Sequence, residues 1–138
     1  MYDTILVGTD GSETANQAVE KAIETAEKHD ATVHAVTIVN TRRYGEPALS
    51  STELVLTEIE DRGHEQLEMI EEMCENRDVE VVTKCFHGDP GEELLKYADE
   101  TEADLIVLGY QGRTHPRSKI GSTARHVVRN SDRLVLLV

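Results

Sequence analysis

Tryptophan is absent from the chain and phenylalanine occurs once in 138 residues. The few aromatic residues, Tyr2, Tyr44, Phe86, Tyr97 and Tyr110, are scattered. They form no stacking platform, which argues against binding of single-stranded nucleic acid. The two cysteines, Cys74 and Cys85, lack metal-ligand spacing and read as reduced, half-buried packing residues. The histidines His29, His34, His64, His87, His115 and His126 show no HxxxH or HxH grouping, so a dedicated zinc site is not expected. No apolar run approaches the ~20 residues of a membrane helix. The start Met1-Tyr2-Asp3-Thr4 has no basic n-region, and a cytoplasmic location is expected. Internal repeats and low-complexity tracts are also missing.

Basic residues are scarce as well. Fourteen Lys and Arg face 27 Asp and Glu, for a net charge of −13 and a pI near 4.8. This balance argues against general binding to DNA or anionic membranes. Glu20, Glu24 and Glu27, and the acids between Glu58 and Glu75, fall on expected helix faces. Two readings fit equally: a solvated surface that resists aggregation, or adaptation to a halophile's salty cytoplasm.

Hydrophobic residues make up 38% of the chain and come in blocks, as in a globular domain spanning residues 1–138. Tyr2–Thr9 reads as a buried strand ended by the turn Asp10-Gly11-Ser12, with Ser12 or Asp10 capping a helix over Glu13–Lys28. Its apolar positions Ala15, Ala18, Val19, Ala22, Ile23 and Ala26 have helical spacing. Ala31–Val39 is a second, β-branched strand. A polar loop over Asn40–Ser51 leads into an amphipathic helix over Thr52–Asn76, which Gly63 is expected to weaken or bend. Val79–Phe86 is a third strand. Asp89 caps a helix with Pro90 at its first position, running to Glu100. Asp104–Leu108, a helix over Ser122–Asn130, and Arg133–Val138 complete the order β-α-β-α-β-α-β-α-β. Alternation of this kind implies a doubly wound five-stranded parallel sheet with helices on both faces, Rossmann-like in class. Ligands bind such sheets beyond the strands' carboxyl ends, where Thr9-Asp10, Ile38-Val39 and Gly109 converge.

One segment departs from the acidic background. Gly109-Tyr110-Gln111-Gly112 follows the apolar run Asp104–Leu108, and Gly121-Ser122-Thr123 comes eight residues later. Glycine lets backbone amides approach a ligand closely, and a helix start supplies unpaired N–H groups with partial positive charge. Residues 113–133 carry six basic side chains against the single acid Asp132. Arg113, Arg117 and Lys119 sit in the loop itself and are the phosphate candidates. Arg125, Arg129 and Arg133 have spacing suited to pairing with acidic helices, a structural role favoured for the first two. Asp10 reads equally as a cap or a ligand contact.

Together ILVGTDGSETA, GDPGEELLKYADETEADLIVLG and GYQG…GSTARHVVRN resemble the universal stress protein family over essentially the whole chain. The resemblance implies sheet order 3-2-1-4-5 and an adenine-nucleotide alpha-hydrolase-like architecture. The family's nucleotide-binding branch holds ATP through a Gly-x-x-Gly-x9-Gly-Ser/Thr motif. By this likeness Thr9 and Asp10 lie by the ribose and the backbone at Ile38 meets the adenine edge. Gly109, Gly112, Gly121, Ser122 and Thr123 line the phosphates, with Mg²⁺ carried by them. The linker here is one residue short, contains Pro116 and is polar and basic, which bears on the triphosphate geometry.

The expected function is that of an ATP-binding stress-response switch, dimeric through the Leu134–Val138 edge strand. Hydrolysis would be slow at most, because no base is positioned for the attacking water. The alternative is a dimeric stress or scaffold protein that binds protein partners, as yet unidentified, and no nucleotide. Gly121→Val is expected to abolish nucleotide binding and spare the dimer. A phosphoacceptor receiver is disfavoured, since Phe86-His87-Gly88 and Ser131-Asp132-Arg133 lack the needed acid and lysine. Gly8-Thr9-Asp10-Gly11 does not match a dinucleotide fingerprint, and no HxGH motif for adenylyl transfer is present.

Overall fold

A computed structural model describes residues 2–40, 50–110 and 120–138, with side chains of the second segment described from residue 55 onward. Five strands and four helices alternate: β1 (Thr4–Gly8), α1 (Glu13–His29), β2 (Thr32–Val39), α2 (Ser50–Glu75), β3 (Val81–His87), α3 (Pro90–Thr101), β4 (Leu105–Leu108), α4 (Ser122–Asn130) and β5 (Leu134–Leu137). The strands form one sheet in the order β3-β2-β1-β4-β5, and every neighbouring pair is parallel. The element order and sheet order agree with the sequence reading, with ends shifted by one or two residues.

Alternation along the strands sorts side chains onto two faces. Ile5, Val7, Val33, Ala35, Leu105 and Val107 pack with α1 and α2. Leu6, Val36, Ile106 and Leu108 pack with α3 and α4 through Leu94, Tyr97, Ala98 and Val127. Burial on both faces explains why β1 and β4 read as unbroken apolar runs. All six apolar positions that the helical spacing assigns to α1 are buried.

The caps are resolved by geometry. Ser12, rather than Asp10, is the N-cap of α1, and its side chain accepts from the Ala15 N–H at 3.2 Å. Asp89 caps α3 as expected, accepting from the Glu92 N–H at 3.1 Å. Gly63 does not interrupt α2. A Cβ there would lie 3.0 Å from Thr37 Cγ2, so the glycine lets the helix seat closely on β2. Cys74 is fully buried rather than half-buried, because it faces the core between α2 and the sheet; burial pushes its thiol up to about 11. Cys85 is half-buried, and both thiols are free.

Candidate functional site

The register of the sheet sets the rim. Gly8 lies opposite Val36 and Val7 opposite Val107. Thr9 therefore stands level with Gly109 at the carboxyl end, and Ile38 projects beyond the end of β1. The chain leaves β1 in a tight turn. The Thr9 N–H still donates to the Val36 carbonyl at 3.0 Å, and the Thr9 hydroxyl accepts from the Gly11 N–H at 3.2 Å. Asp10 is exposed, and its Oδ1 accepts from the Ser12 N–H at 2.9 Å. This local bond gives Asp10 a turn-stabilising role while leaving its carboxylate at the rim. Gly11 holds φ +78°, a left-handed conformation suited to glycine.

Gly109 has a packing reason to be glycine. A Cβ at that position would lie 2.7 Å from Thr14 Oγ1 and 2.8 Å from the Ala15 nitrogen and the Thr14 carbonyl carbon. The end of β4 thus rests directly on the first turn of α1, a space any side chain would fill. The sequence reading weighed a ligand cradle against a tight turn for this glycine, and the contact with α1 adds a packing role to either.

Both ends of the 111–119 connection are tied to the last strand's exit. The Tyr110 N–H donates to the Val138 carbonyl at 2.8 Å, and the Val138 N–H donates to Leu108 at 2.9 Å. The Gly121 N–H donates to the Tyr110 carbonyl at 2.8 Å. Gly121 is the buried N-cap of α4, in extended conformation and without a side-chain cap. Its amide is therefore committed to the turn, which leaves the first-turn amides of Thr123 and Ala124 as the candidate donors. Gly112 and Arg113, with Arg117, Lys119 and His115, lie outside the described residues.

The basic segment divides by position. Arg125 is exposed one turn into α4 and Arg129 is in its last turn, near the opposite end of the sheet from the rim. Among the described residues neither pairs with an acid, so the expected structural pairing is corrected for both. Arg133 does pair. It donates to Asp99 Oδ1 at 3.3 Å and to the Ala103 carbonyl at 2.7 Å, at the amino end of β5. Arg129 is thus removed from any rim-bound anion because the helix carries it away at 1.5 Å per residue, and Arg133 because it lies just before the amino end of β5.

Sequence reasoning passed over Asn40, whose Oδ1 is buried without a hydrogen-bond partner at the end of β2. An isolated polar residue carries no pattern signal, so only the fold exposes it. It also passed over His34, whose Nδ1 is 2.8 Å from the Tyr97 hydroxyl on the α3 side. Burial, aided by Lys84, holds the His34 imidazole below its ordinary range. Phe86, Glu93, Lys96, Tyr97 and Glu100 line a shallow depression on the same flank. Among the described residues no group of three or more His, Cys, Asp or Glu side chains is arranged for a metal. In the same residues no helix is long and apolar enough to cross a membrane.

The universal stress protein family matches residues 1–138. A universal stress protein of Methanocaldococcus jannaschii is 35% identical over 140 residues, covering 100% of this chain and 82% of that relative. The universal stress protein UspA from Lactobacillus plantarum superposes with a TM-score of 0.92 at 28% identity, covering 99% of this chain and 97% of that one. A universal stress protein solved in complex with cAMP is 28% identical with a TM-score of 0.65, covering 99% of this chain and 96% of its own. Some structural neighbours therefore bind nucleotides. Sequence, sheet order and superposition agree, and the chain belongs to the universal stress protein family.

Proposed function

We propose that the chain is a nucleotide-binding regulatory protein that holds ATP at the carboxyl rim and acts as a dimeric switch in the stress response. The observation that carries this reading is the start of α4. It opens at the rim with no side-chain cap, near Gly109, whose backbone packs on the first turn of α1. A helix start of this kind favours an anion. The cAMP complex of a relative makes a nucleotide the natural class.

In this reading Thr9 and Asp10 face the ribose and the Ile38 backbone meets the adenine edge. Gly109, Gly112, Gly121, Ser122 and Thr123 enclose the phosphates, and Arg113 pairs with them. Mg²⁺ rides on the phosphates, and no protein ligand set is needed for it. Ligand occupancy, and not turnover, is the output in this reading. The acidic surface fits a salt-rich cytoplasm. The second reading, a dimeric scaffold that binds protein partners and no nucleotide, draws on the exposed apolar residues Val128 and Leu134.

Calorimetric titration with ATP, ADP and AMP in Mg²⁺ tests the proposal, with Ser122→Asp beside the wild type. Ser122 is exposed at the first position of α4. An acid there favours the helix by about 0.3–1 kcal/mol but repels phosphates. Affinity rising with phosphate number in the wild type, and a loss in the variant greatest for ATP, are expected. No binding of any of the three would leave the scaffold reading.

A further inference from the structure

Helix α2 touches the rim turn through Gln66. A Cβ on Gly11 would lie 1.8 Å from Gln66 Nε2 and 2.8 Å from its Cδ, so the Gln66 carboxamide fills the space that a side chain at residue 11 would take. The turn's own bonds, from the Gly11 N–H to Thr9 Oγ1 and from the Ser12 N–H to Asp10 Oδ1, join residues two apart. Such bonds close the turn but do not fix its position above the sheet. The left-handed glycine at its centre also leaves this backbone freer than any other residue would. The contact from α2 is of a different kind, because it comes from another element.

The helix that carries Gln66 is firmly seated. Gly63, one turn earlier, lets α2 approach β2 closely, with Thr37 Cγ2 3.0 Å from where a Cβ would stand. Leu67 and Ile70 are buried in the core on the same side of the sheet. The Thr83 hydroxyl of β3 donates to Glu71 Oε1 at 3.0 Å. Gln66 is half-buried and uncharged, between the exposed acids Glu65 and Glu68. A neutral side chain of this length rests against the turn without setting a second carboxylate beside that of Asp10, which like-charge repulsion would disfavour.

We propose that Gln66 is a positioning residue for the ribose side of the site: its carboxamide wedges the Gly11 turn from α2 and holds Thr9 and Asp10 in the orientation that meets the ribose. The inference rests on the nucleotide reading above and adds to it a residue from outside the rim loops. Gln66 touches no ligand in this arrangement. It acts by ordering the turn in advance, so that binding does not have to. Loss of that order corresponds to a fall in affinity of about two- to tenfold.

The test is calorimetry with ATP and 2′,3′-dideoxy-ATP, which lacks the ribose hydroxyls, on the wild type, Gln66→Ala and Gln66→Met. The wild type is expected to prefer ATP by about tenfold. Gln66→Ala removes the wedge but keeps a strong helix former at a half-exposed site. It is expected to lose ATP affinity by about two- to tenfold, and most of the preference with it, while binding dideoxy-ATP as the wild type does. Gln66→Met keeps the side chain's length and is expected to restore both. Gln66→Asn, which retracts the carboxamide by one methylene, is expected to act as alanine does and serves if the alanine form folds poorly. In the unliganded proteins the Gly11 and Ser12 amides are expected to exchange with deuterium faster in Gln66→Ala than in the wild type, a readout that needs no nucleotide. A folded truncation with unchanged preference or unchanged exchange overturns the inference while leaving the nucleotide site intact. So does a loss equal for both nucleotides, which marks a merely structural role, a methionine form that behaves as alanine, or a wild type that binds both compounds alike. A wild type that binds neither compound overturns the nucleotide reading itself, and the role of Gln66 with it.

Discussion

Gly109 and His34 show how single residues acquire meaning from contacts distant in sequence. Gly109→Ala places a Cβ 2.8 Å from the α1 backbone, which a flexible neighbour cannot relieve. Overpacking of this sort costs about 1–3 kcal/mol. Urea unfolding of the variant is expected to show that loss, and an unchanged midpoint would mean that β4 and α1 are seated less closely. His34 contributes a pH dependence of defined sign. Its folded-state imidazole titrates below the ordinary histidine value of 6.5 because burial, then Lys84, disfavours the charge. Above that value the ring is neutral in both states and full stability is present. As pH falls through it, the unfolded chain takes up the proton first, so stability declines until the folded ring also protonates. Thermal midpoints between pH 5 and 8 should therefore fall more steeply below about 6.5 in the wild type than in His34→Gln. Parallel profiles would exclude His34 as the source.

Asp104 acts at the opposite end of the sheet. Its carboxylate accepts from the Asp3 and Thr4 N–H groups at 2.8 and 3.0 Å, holding its pKa below the usual range and fastening β1 to β4. Among the elements, α1 and α3 end alike, with the non-glycine residues Asp30 and Glu102 in left-handed conformation at φ 55° and 52°. A side chain bearing Cβ is strained there by roughly 1–2 kcal/mol, partly offset in a glycine by its greater unfolded-state entropy. Glu102→Gly is expected to raise stability by about 0.5–1 kcal/mol, read from chemical denaturation. A decrease would show that the glutamate side chain contributes more than its backbone strain costs. The same geometry could not be anticipated from the sequence, because glycine is the usual signal for such a helix end and neither position has one. Where the signal was present it was legible. Asp89-Pro90 marked the start of α3, and the spacing from Ala15 to Ala26 marked the buried face of α1.

At the scale of the whole molecule, β5 is an edge strand and Leu134 is 60% exposed on it. An apolar edge invites pairing with another chain. We expect a second copy to cover it, so that the wild type sediments as a dimer and Leu134→Lys shifts toward monomer with little loss of fold, since the altered side chain is already exposed. A wild type that sediments as a monomer would remove the dimer from both functional readings. The opposite edge, β3, carries the exposed Lys84. A lysine on an edge discourages such pairing, which directs association toward β5. The Tyr110–Val138 and Gly121–Tyr110 hydrogen bonds place that strand's exit and the candidate phosphate loop in one backbone network.

Residue type and spacing by themselves determined the class of fold, the strand and helix order, the Asp89 cap of α3 and the carboxyl-end rim. These follow from periodic burial and local backbone chemistry, which are written in contiguous residues. Family motifs added the sheet order and the glycine positions. Only the tertiary structure decided that Ser12 caps α1, that Gly121 has already spent its amide, and that Arg129 and Arg133 lie away from the rim. It alone revealed the stranded Asn40 oxygen. Each of these depends on which distant backbone or side chain comes to stand alongside a residue, and hydrogen-bond satisfaction and helix direction in three dimensions have no signature in the local pattern.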